Sequence, residues 1–277
     1  MADWPSGYAA GAVVAVVGSV PGSSRGTRIA IGATPNTKTS WTELVASTPI
    51  AAQGFYVTLQ QDSAAADTHV DVAFGASGAE KTLVGNMLLS ESGGDQGVVY
   101  FFPVAIAAGT RLAVRAQSSL ASPNVDVMLH LASANYLGAP GLARVRTYGA
   151  DASDSGGTSI DPGGTANTEG AIVEIIANSN TFPIHALTVA IGNQANSTQT
   201  GTLNWLFDIL IGASGAEKIL IEDLQVFATT AGDLASPMVF GPFFVDIPAG
   251  TRVSARCQSA NIEATDRLKD VILYGMY

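Results

Sequence analysis

Charge is what this 277-residue chain has least of: Asp, Glu, Lys and Arg together make up 13% of it, about half the share of an ordinary globular protein. The 13 basic residues are outnumbered by 23 acidic ones, for a net charge of −10, and they form no cluster. A nucleic-acid groove needs a basic stripe to displace counterions, so nucleic acid is excluded as a partner. Cysteine is nearly absent. A lone Cys257 rules out an intrachain disulfide and zinc-ligand spacing, and its alternation with Val253 and Ala255 places it on the core face of a strand. Aromatic residues are only 7%, which weighs against a sugar-stacking platform. Long apolar runs are missing too: the stretch 9–17 is too short to span a bilayer. The opening Met1-Ala2-Asp3-Trp4-Pro5 has no basic n-region, so assembly in a host cytoplasm, without membrane insertion, is the expectation.

What fills the space is Gly, Ala, Ser and Thr, arranged twice. Gly75-Ala76-Ser77-Gly78-Ala79-Glu80-Lys81 recurs unchanged at 212–218, and Ala108-Gly109-Thr110-Arg111 returns at 249–252. Asn36, Thr37 and Glu43 match Asn167, Thr168 and Glu174, and Asp126-Val127 matches Asp270-Val271. The offset grows along the chain, as it does when loops of one fold lengthen. The period is that of a whole domain rather than of a stacking repeat. The division expected is an N-terminal arm (1–24), a first copy (25–135), a linker (136–160) and a second copy (161–277). The arm pairs either with its own domain or with a neighbour's sheet edge.

Each copy reads as strands. Val125, Val127, Leu129 and Leu131 alternate with Asp126, Met128 and His130; Leu112, Val114 and Ala116 alternate with Arg111, Ala113, Arg115 and Gln117. Seven to eight such runs per copy, broken by turn residues, predict an all-β protein of two tandem jelly-roll-like β-sandwiches. One short helical turn is expected at 229–235. A chain so poor in charge is expected to bury surface against copies of itself, with a trimer favoured.

Sites are scarce. The Gly-Ala-Ser-Gly-Ala-Glu-Lys motif lacks the Gly-Lys-Ser/Thr ending of a phosphate loop and lies between strands. His69, His130 and His185 fall at unrelated places with no nucleophile or carboxylate spaced for catalysis. Asp151, Asp154 and Asp161 lack the spacing of a calcium loop and read as a solvated acidic linker. Arg111/Arg115 and Arg252/Arg256 each share a strand face. They read as ion-pair ladders fixing register, with Glu80 or Asp126, and Glu217 or Asp270, as partners. No catalytic, cofactor-binding or metal-binding residue is assigned, and the chain is expected not to be an enzyme.

Three segments together carry a family resemblance: Trp41-Thr42-Glu43-Leu44-Val45-Ala46-Ser47, the Gly-Ala-Ser-Gly-Ala-Glu-Lys turn, and Phe243-Phe244-Val245-Asp246-Ile247-Pro248-Ala249-Gly250-Thr251-Arg252 leading to Arg256-Cys257-Gln258-Ser259. The chain resembles β-sandwich virion proteins of tailed bacteriophages, found among head-decoration, minor tail and fibre-like subunits. Copy one departs from the pattern with Ala107 for Pro248 and Ala105 for Asp246. The resemblance implies a structural place on a virion among other virion proteins, with a host surface glycan as a further partner. The alternatives are a carbohydrate-binding module and, behind it, a glycan-degrading enzyme.

Overall fold

A computed structural model describes residues 13–61, 66–91, 97–133, 141–178, 180–193, 203–228, 237–260 and 269–277. Among them there is no α-helix, only a 3-10 turn at Pro21–Ser23. The helical turn expected at 229–235 and the first part of the N-terminal arm lie outside the described residues.

The first half contains β1 (Val14–Val17), β2 (Ser19–Val20), β3 (Arg25–Ala30), β4 (Thr42–Val45), β5 (Gly54–Gln61), β6 (Ala66–Phe74), β7 (Lys81–Glu91), β8 (Val98–Phe102), β9 (Leu112–Ser118) and β10 (Asn124–Ala132). The second contains β11 (Val145–Tyr148), β12 (Thr158–Ile160), β13 (Val173–Ile176), β14 (Ile184–Asn193), β15 (Leu203–Ile211), β16 (Lys218–Ala228), β17 (Met238–Ile247), β18 (Val253–Ser259) and β19 (Lys269–Met276). One sheet of the first half runs β3-β10-β5-β8 and faces another of order β4-β9-β6-β7. The second half repeats this as β12-β19-β14-β17 and β13-β18-β15-β16. Four strands per sheet in this crossed order is the jelly roll, all pairs antiparallel. β1 and β11 occupy the same place in the two halves, each laid on the end of the long strand β10 or β19.

Those first short strands carry no alternation, so only the fold explains them. Each rests on a glycine corner. Gly18 and Gly149 have φ of 79° and 80°, a left-handed backbone that glycine adopts without strain. Their carbonyls accept hydrogen bonds from Thr27 Oγ1 at 3.0 Å and Thr158 Oγ1 at 3.1 Å. The stretch 136–160, read as a linker, therefore carries β11 and β12, and the arm's strands lie on their own sheet, β1 on β10 and β2 on β3.

Alternation fills the two cores. Phe55, Val57, Leu59, Val125, Val127, Leu129 and Leu131 are wholly buried in the first sandwich; Trp205, Phe207, Ile209, Leu273 and Cys257 are wholly buried in the second. Two-sided burial marks β19, where every residue is buried. One of its faces packs inside its own sandwich. The other, with Ile272, Tyr274 and Met276, joins Ala186 and Ala190 in the core cluster of the first half, Tyr274 meeting Leu88 of β7 and the Tyr100 and Phe102 rings of β8.

Tyr274 fixes this junction. Its hydroxyl donates to the Asn86 carbonyl at 2.9 Å and accepts the Leu88 N–H at 3.1 Å, two groups on β7, the edge strand of its sheet. Tyr100 donates to the Leu88 carbonyl at 2.6 Å, and its ring meets that of Tyr274 edge-on at 5.5 Å. Replacing Tyr274 by Phe leaves the Leu88 amide and the Asn86 carbonyl buried without this partner, at a cost of about 1–3 kcal/mol. The expected result is a lower melting temperature in calorimetry with the β-sheet circular dichroism unchanged.

Candidate functional site

The arginine pairs occupy equivalent places in the two halves. Arg111 binds Glu43 at 2.8 Å, Glu80 at 3.1 Å and the Gly75 carbonyl at 3.1 Å. Arg252 binds Glu174 and Glu217, each at 2.7 Å. These arginines tie the first strand of the inner sheet to the Gly-Ala-Ser-Gly turn. Glu80 and Glu217 are thus the partners expected from sequence, whereas Asp126 and Asp270 are not. Asp126 lies directly across from Arg28 and pairs with it at 3.1 Å, and Asp270 is buried at the junction. The inner arginines instead hold acids that sequence reasoning missed: Arg115 binds Asp71 at 2.8 Å, and Arg256 binds Asp208 at 2.7 Å.

Asp71 and Asp208 do a second job. At each, the neighbouring strand bulges, and a residue in left-handed backbone, Asn86 or Asp223 (φ 52° in both), points its N–H at the carboxylate, at 2.7 and 3.1 Å. Burial alone would raise Asp71, but Lys38 at 2.8 Å, with the Asn86 amide and Arg115, holds it below the usual carboxylate range. The signal in the sequence was an acid at mid-strand, in Val70-Asp71-Val72 and Phe207-Asp208-Ile209.

A second polar cluster lies where the halves meet. The 151–157 loop, before β12, sits over β6 and β9. His69 donates from Nε2 to the Gly156 carbonyl at 2.7 Å, and its Nδ1 has no hydrogen-bond partner. Burial pushes this histidine down to about 3, so it is neutral. Gln117 Nε2 donates to the Ala152 carbonyl at 2.9 Å and to Ser155 Oγ at 3.1 Å; Ser155 Oγ donates to Asn36 Oδ1 at 2.7 Å.

Two acids close the cluster. Asp270 accepts the Gly157 N–H at 3.0 Å through one oxygen and leaves the other unpartnered. Burial, with Asp67 and the loop aspartates Asp154 and Asp151 adding repulsion, raises it to about 8. Asp67 is raised to about 7, again chiefly by burial; the Ser90 hydroxyl across β6 and β7 tempers the rise without forming a well-aligned hydrogen bond. A buried carboxyl short of partners stays protonated.

The acids named as calcium candidates each close a turn on their own backbone: Asp151 on Ser153, Asp154 on Gly156 and Asp161 on Gly163, all at 2.8 Å. Among the described residues, no three His, Cys, Asp or Glu are grouped to hold a metal.

The remaining feature is the outer face of the β3-β10-β5-β8 sheet. Cross-strand pairing lines up Val16, His130, Tyr56 and Phe101 in one row, and Met128, Thr58 and Val99 in the next. The Tyr56 and Phe101 rings lie 4.6 Å apart. Val16 and Val99 are 48% and 54% exposed. The same face of the second half is the one buried beneath Tyr274. Of the three histidines, His69 is thus at the junction, His130 is on this face, and His185 lies 3.6 Å from Asp246 at the surface.

No family model matches the chain, and no curated protein matches it. Several solved structures match it at low identity and low TM-score. PNGF-II matches at 11% identity and TM-score 0.41, over 91% of this chain and 66% of that one. The chain thus spans just under two thirds of the length of PNGF-II. The PBSX exported protein XepA matches at 11% identity and TM-score 0.25, over 96% of this chain and 86% of that one. The tandem CBM22-1–CBM22-2 domains of Paenibacillus barcinonensis Xyn10C match at 11% and 0.24, over 97% and 92%. A peptide-N(4)-(N-acetyl-beta-D-glucosaminyl) asparagine amidase matches at 10% identity and TM-score 0.33, over 90% of this chain and 96% of that one. No helix among the described residues is long and apolar enough to cross a membrane.

Both polar clusters yield measurable expectations. Arg256→Ala leaves Asp208, whose side chain is 3% exposed, without its cation, and is expected to cost about 2–3 kcal/mol in denaturant melts. Asp270→Asn keeps an oxygen for the Gly157 amide but cannot ionise. In the parent, the unfolded chain loses its Asp270 proton near the ordinary value of 3.8 and the folded chain only near 8. The folded state therefore binds the extra proton, and the parent's stability falls as pH rises through that window. The variant escapes the loss, so its stability relative to the parent should climb between pH 5 and 8, by on the order of 2 kcal/mol.

Proposed function

We propose that this protein is a non-enzymatic structural subunit of a tailed-phage particle, an accessory protein of the tail, of a fibre or of the capsid surface. The observation that carries the reading is where the chemistry-bearing side chains are spent. Arg111, Arg115, Arg252 and Arg256, with Glu43, Glu80, Asp71, Glu174, Glu217 and Asp208, are tied into ladders that hold strands in register. Two sandwiches joined through a hydrogen-bonded junction make a double module, and Val16 and Val99, about half exposed on the first sheet, offer apolar surface for docking. The motif resemblance to virion β-sandwich proteins agrees with that use.

A second reading rests on Tyr56 and Phe101. Adjacent rings beside Thr58 and Gln60 on a flat sheet face form a surface on which a sugar ring can stack. Under this reading the chain is a carbohydrate-binding module used in host attachment.

Mass spectrometry and immunogold labelling of purified particles separate the two from a protein with no virion role. A fixed copy number at one place on the particle is expected, and absence from particles overturns the structural reading. Binding of bacterial surface polysaccharide that is lost in Tyr56→Ala would establish the glycan reading.

A further inference from the structure

Most arginines of this chain are engaged with acids: Arg28, Arg111, Arg115, Arg252 and Arg256 each hold one. Arg144 and Arg146 hold none. Both are exposed, and among the described residues neither side chain makes a hydrogen bond or an ion pair, although acids outnumber bases by 23 to 13. Arg144 directly precedes β11 and Arg146 lies within it, two positions on, so they share a face. Pairing shows which face. Arg146 lies across from Gly275 and Tyr148 from Leu273, a core residue of the second sandwich. Thr147, between them, points the other way and donates to the Gly85 carbonyl of β7 at the junction. Arg144 and Tyr277 exchange both backbone hydrogen bonds at 3.2 Å.

Aromatic rings flank the second guanidinium. Arg146 Cζ lies 5.2 Å from the centre of the Phe182 ring and 5.8 Å from that of Tyr148, within reach of a cation–π attraction. That attraction uses none of its N–H donors. Phe182 stacks on Tyr277, with centres 4.7 Å apart and planes 19° from parallel. Asn180 holds the arrangement. Its Oδ1 accepts the Tyr148 hydroxyl at 2.8 Å, its Nδ2 donates to the Phe182 carbonyl at 2.7 Å, and its own carbonyl accepts the Gly250 N–H at 2.6 Å. The approach to β14 is thus tied to β11 and to the turn before β18, which fixes the rings beside Arg146.

The first half shows that the fold does not require these residues. β1 lies on β10 as β11 lies on β19, and Thr48 accepts the Gly109 N–H as Asn180 accepts that of Gly250. By this correspondence Val13, Ala15, Val17, Ile50 and Ser133 stand where the second half has Arg144, Arg146, Tyr148, Phe182 and Tyr277. The same corner closes there with aliphatic side chains and a serine. The second half has instead gathered two cations, three rings and an amide that sets them.

Arginines two positions apart on a strand stand about 7 Å from one another and can grip one anionic group from two sides, with the fork that suits a carboxylate. A ring beside them gives the apolar face of a sugar a surface to lie on. An inorganic anion would use the cations alone, and a nucleic acid needs a longer basic stripe. We propose that this corner of the second sandwich binds an acidic sugar, its carboxylate held by Arg144 and Arg146 and its ring packed against Phe182 and Tyr277. The Tyr56–Phe101 pair belongs to the other half, so the proposal goes beyond both readings above and stands or falls without them.

The test titrates oligosaccharides of galacturonate, glucuronate and N-acetylneuraminate, with carboxyl groups free or methyl-esterified, into the full chain by calorimetry at low salt. At least one free acid should bind, and its methyl ester should bind weaker by about tenfold or more, the loss expected when a charged hydrogen bond goes. Arg146→Ala and Arg144→Val install the residues that the first half carries at these places. Their melting temperatures should match the parent while affinity for that acid falls by a similar factor. Should Arg146→Ala melt lower, Arg146→Lys takes its place: it keeps stem and charge, loses the fork and should still weaken binding. Phe182→Ile should weaken the sugar acid and leave acetate unaffected. No binding by any free acid, an ester that binds as tightly, or unchanged affinity in both arginine variants overturns the proposal. Acetate binding as tightly as the sugar acid overturns it too, since the site would then hold a simple anion.

Discussion

A β-sheet has two faces, and a sandwich buries only one of them. In the second half of this protein the other face is apolar as well: Ala186, Ala190, Ile272, Tyr274 and Met276 all point away from their own core. That sheet is stable only when something dry covers it, and the first half does so with β7 and β8. Much else follows from this requirement. It places the 151–157 loop over His69 and Gln117, buries Asp67 and Asp270 with too few partners, and sets the Tyr274 hydroxyl on the backbone of an edge strand that would otherwise stand unpaired. The two jelly rolls are therefore parts of one body rather than beads on a linker.

Ion pairs contribute differently. Exposed pairs are worth little, but Asp71 and Asp208 are almost fully buried, and each gathers an arginine and the amide of a bulged strand. The carboxylate sets both the bulge and the register of the strand beside it. The junction acids show the opposite balance. Asp126 has Arg28 across the ladder; its counterpart Asp270 has Ser159 there. Without a cation and away from water, Asp270 keeps its proton and makes the junction sensitive to alkali.

The sequence made the sandwiches legible because alternation reports one buried face. Val125 to Leu131 read correctly for that reason, as did the ladder role of Glu80 and Glu217, which follow the same turn in both halves. What it hid were features that need a third dimension. The short strands β1, β2, β11 and β12 hold too few residues to show a period and exist because β3, β10 and β19 offer them an edge. Asp71 and Asp208 are each one polar residue inside an apolar run, a pattern that burial alone disfavours and only the facing arginine explains. The junction was invisible for a related reason. Ile272, Tyr274 and Met276 alternate with core residues that are equally apolar, so the run reads as a strand buried on both faces without saying what covers the second.

The edge-on seat of Tyr274 also sets an order of events during synthesis. The first half leaves the ribosome first and completes its sandwich from its own strands. It then presents β7 with its Asn86 carbonyl and Leu88 amide already held in place by the bulge at Asp71. The second half emerges onto this finished surface, and β19, the strand buried at every residue, follows its other described strands. A strand that needs cover on both faces is thus released only when the cover for its outer face is already waiting.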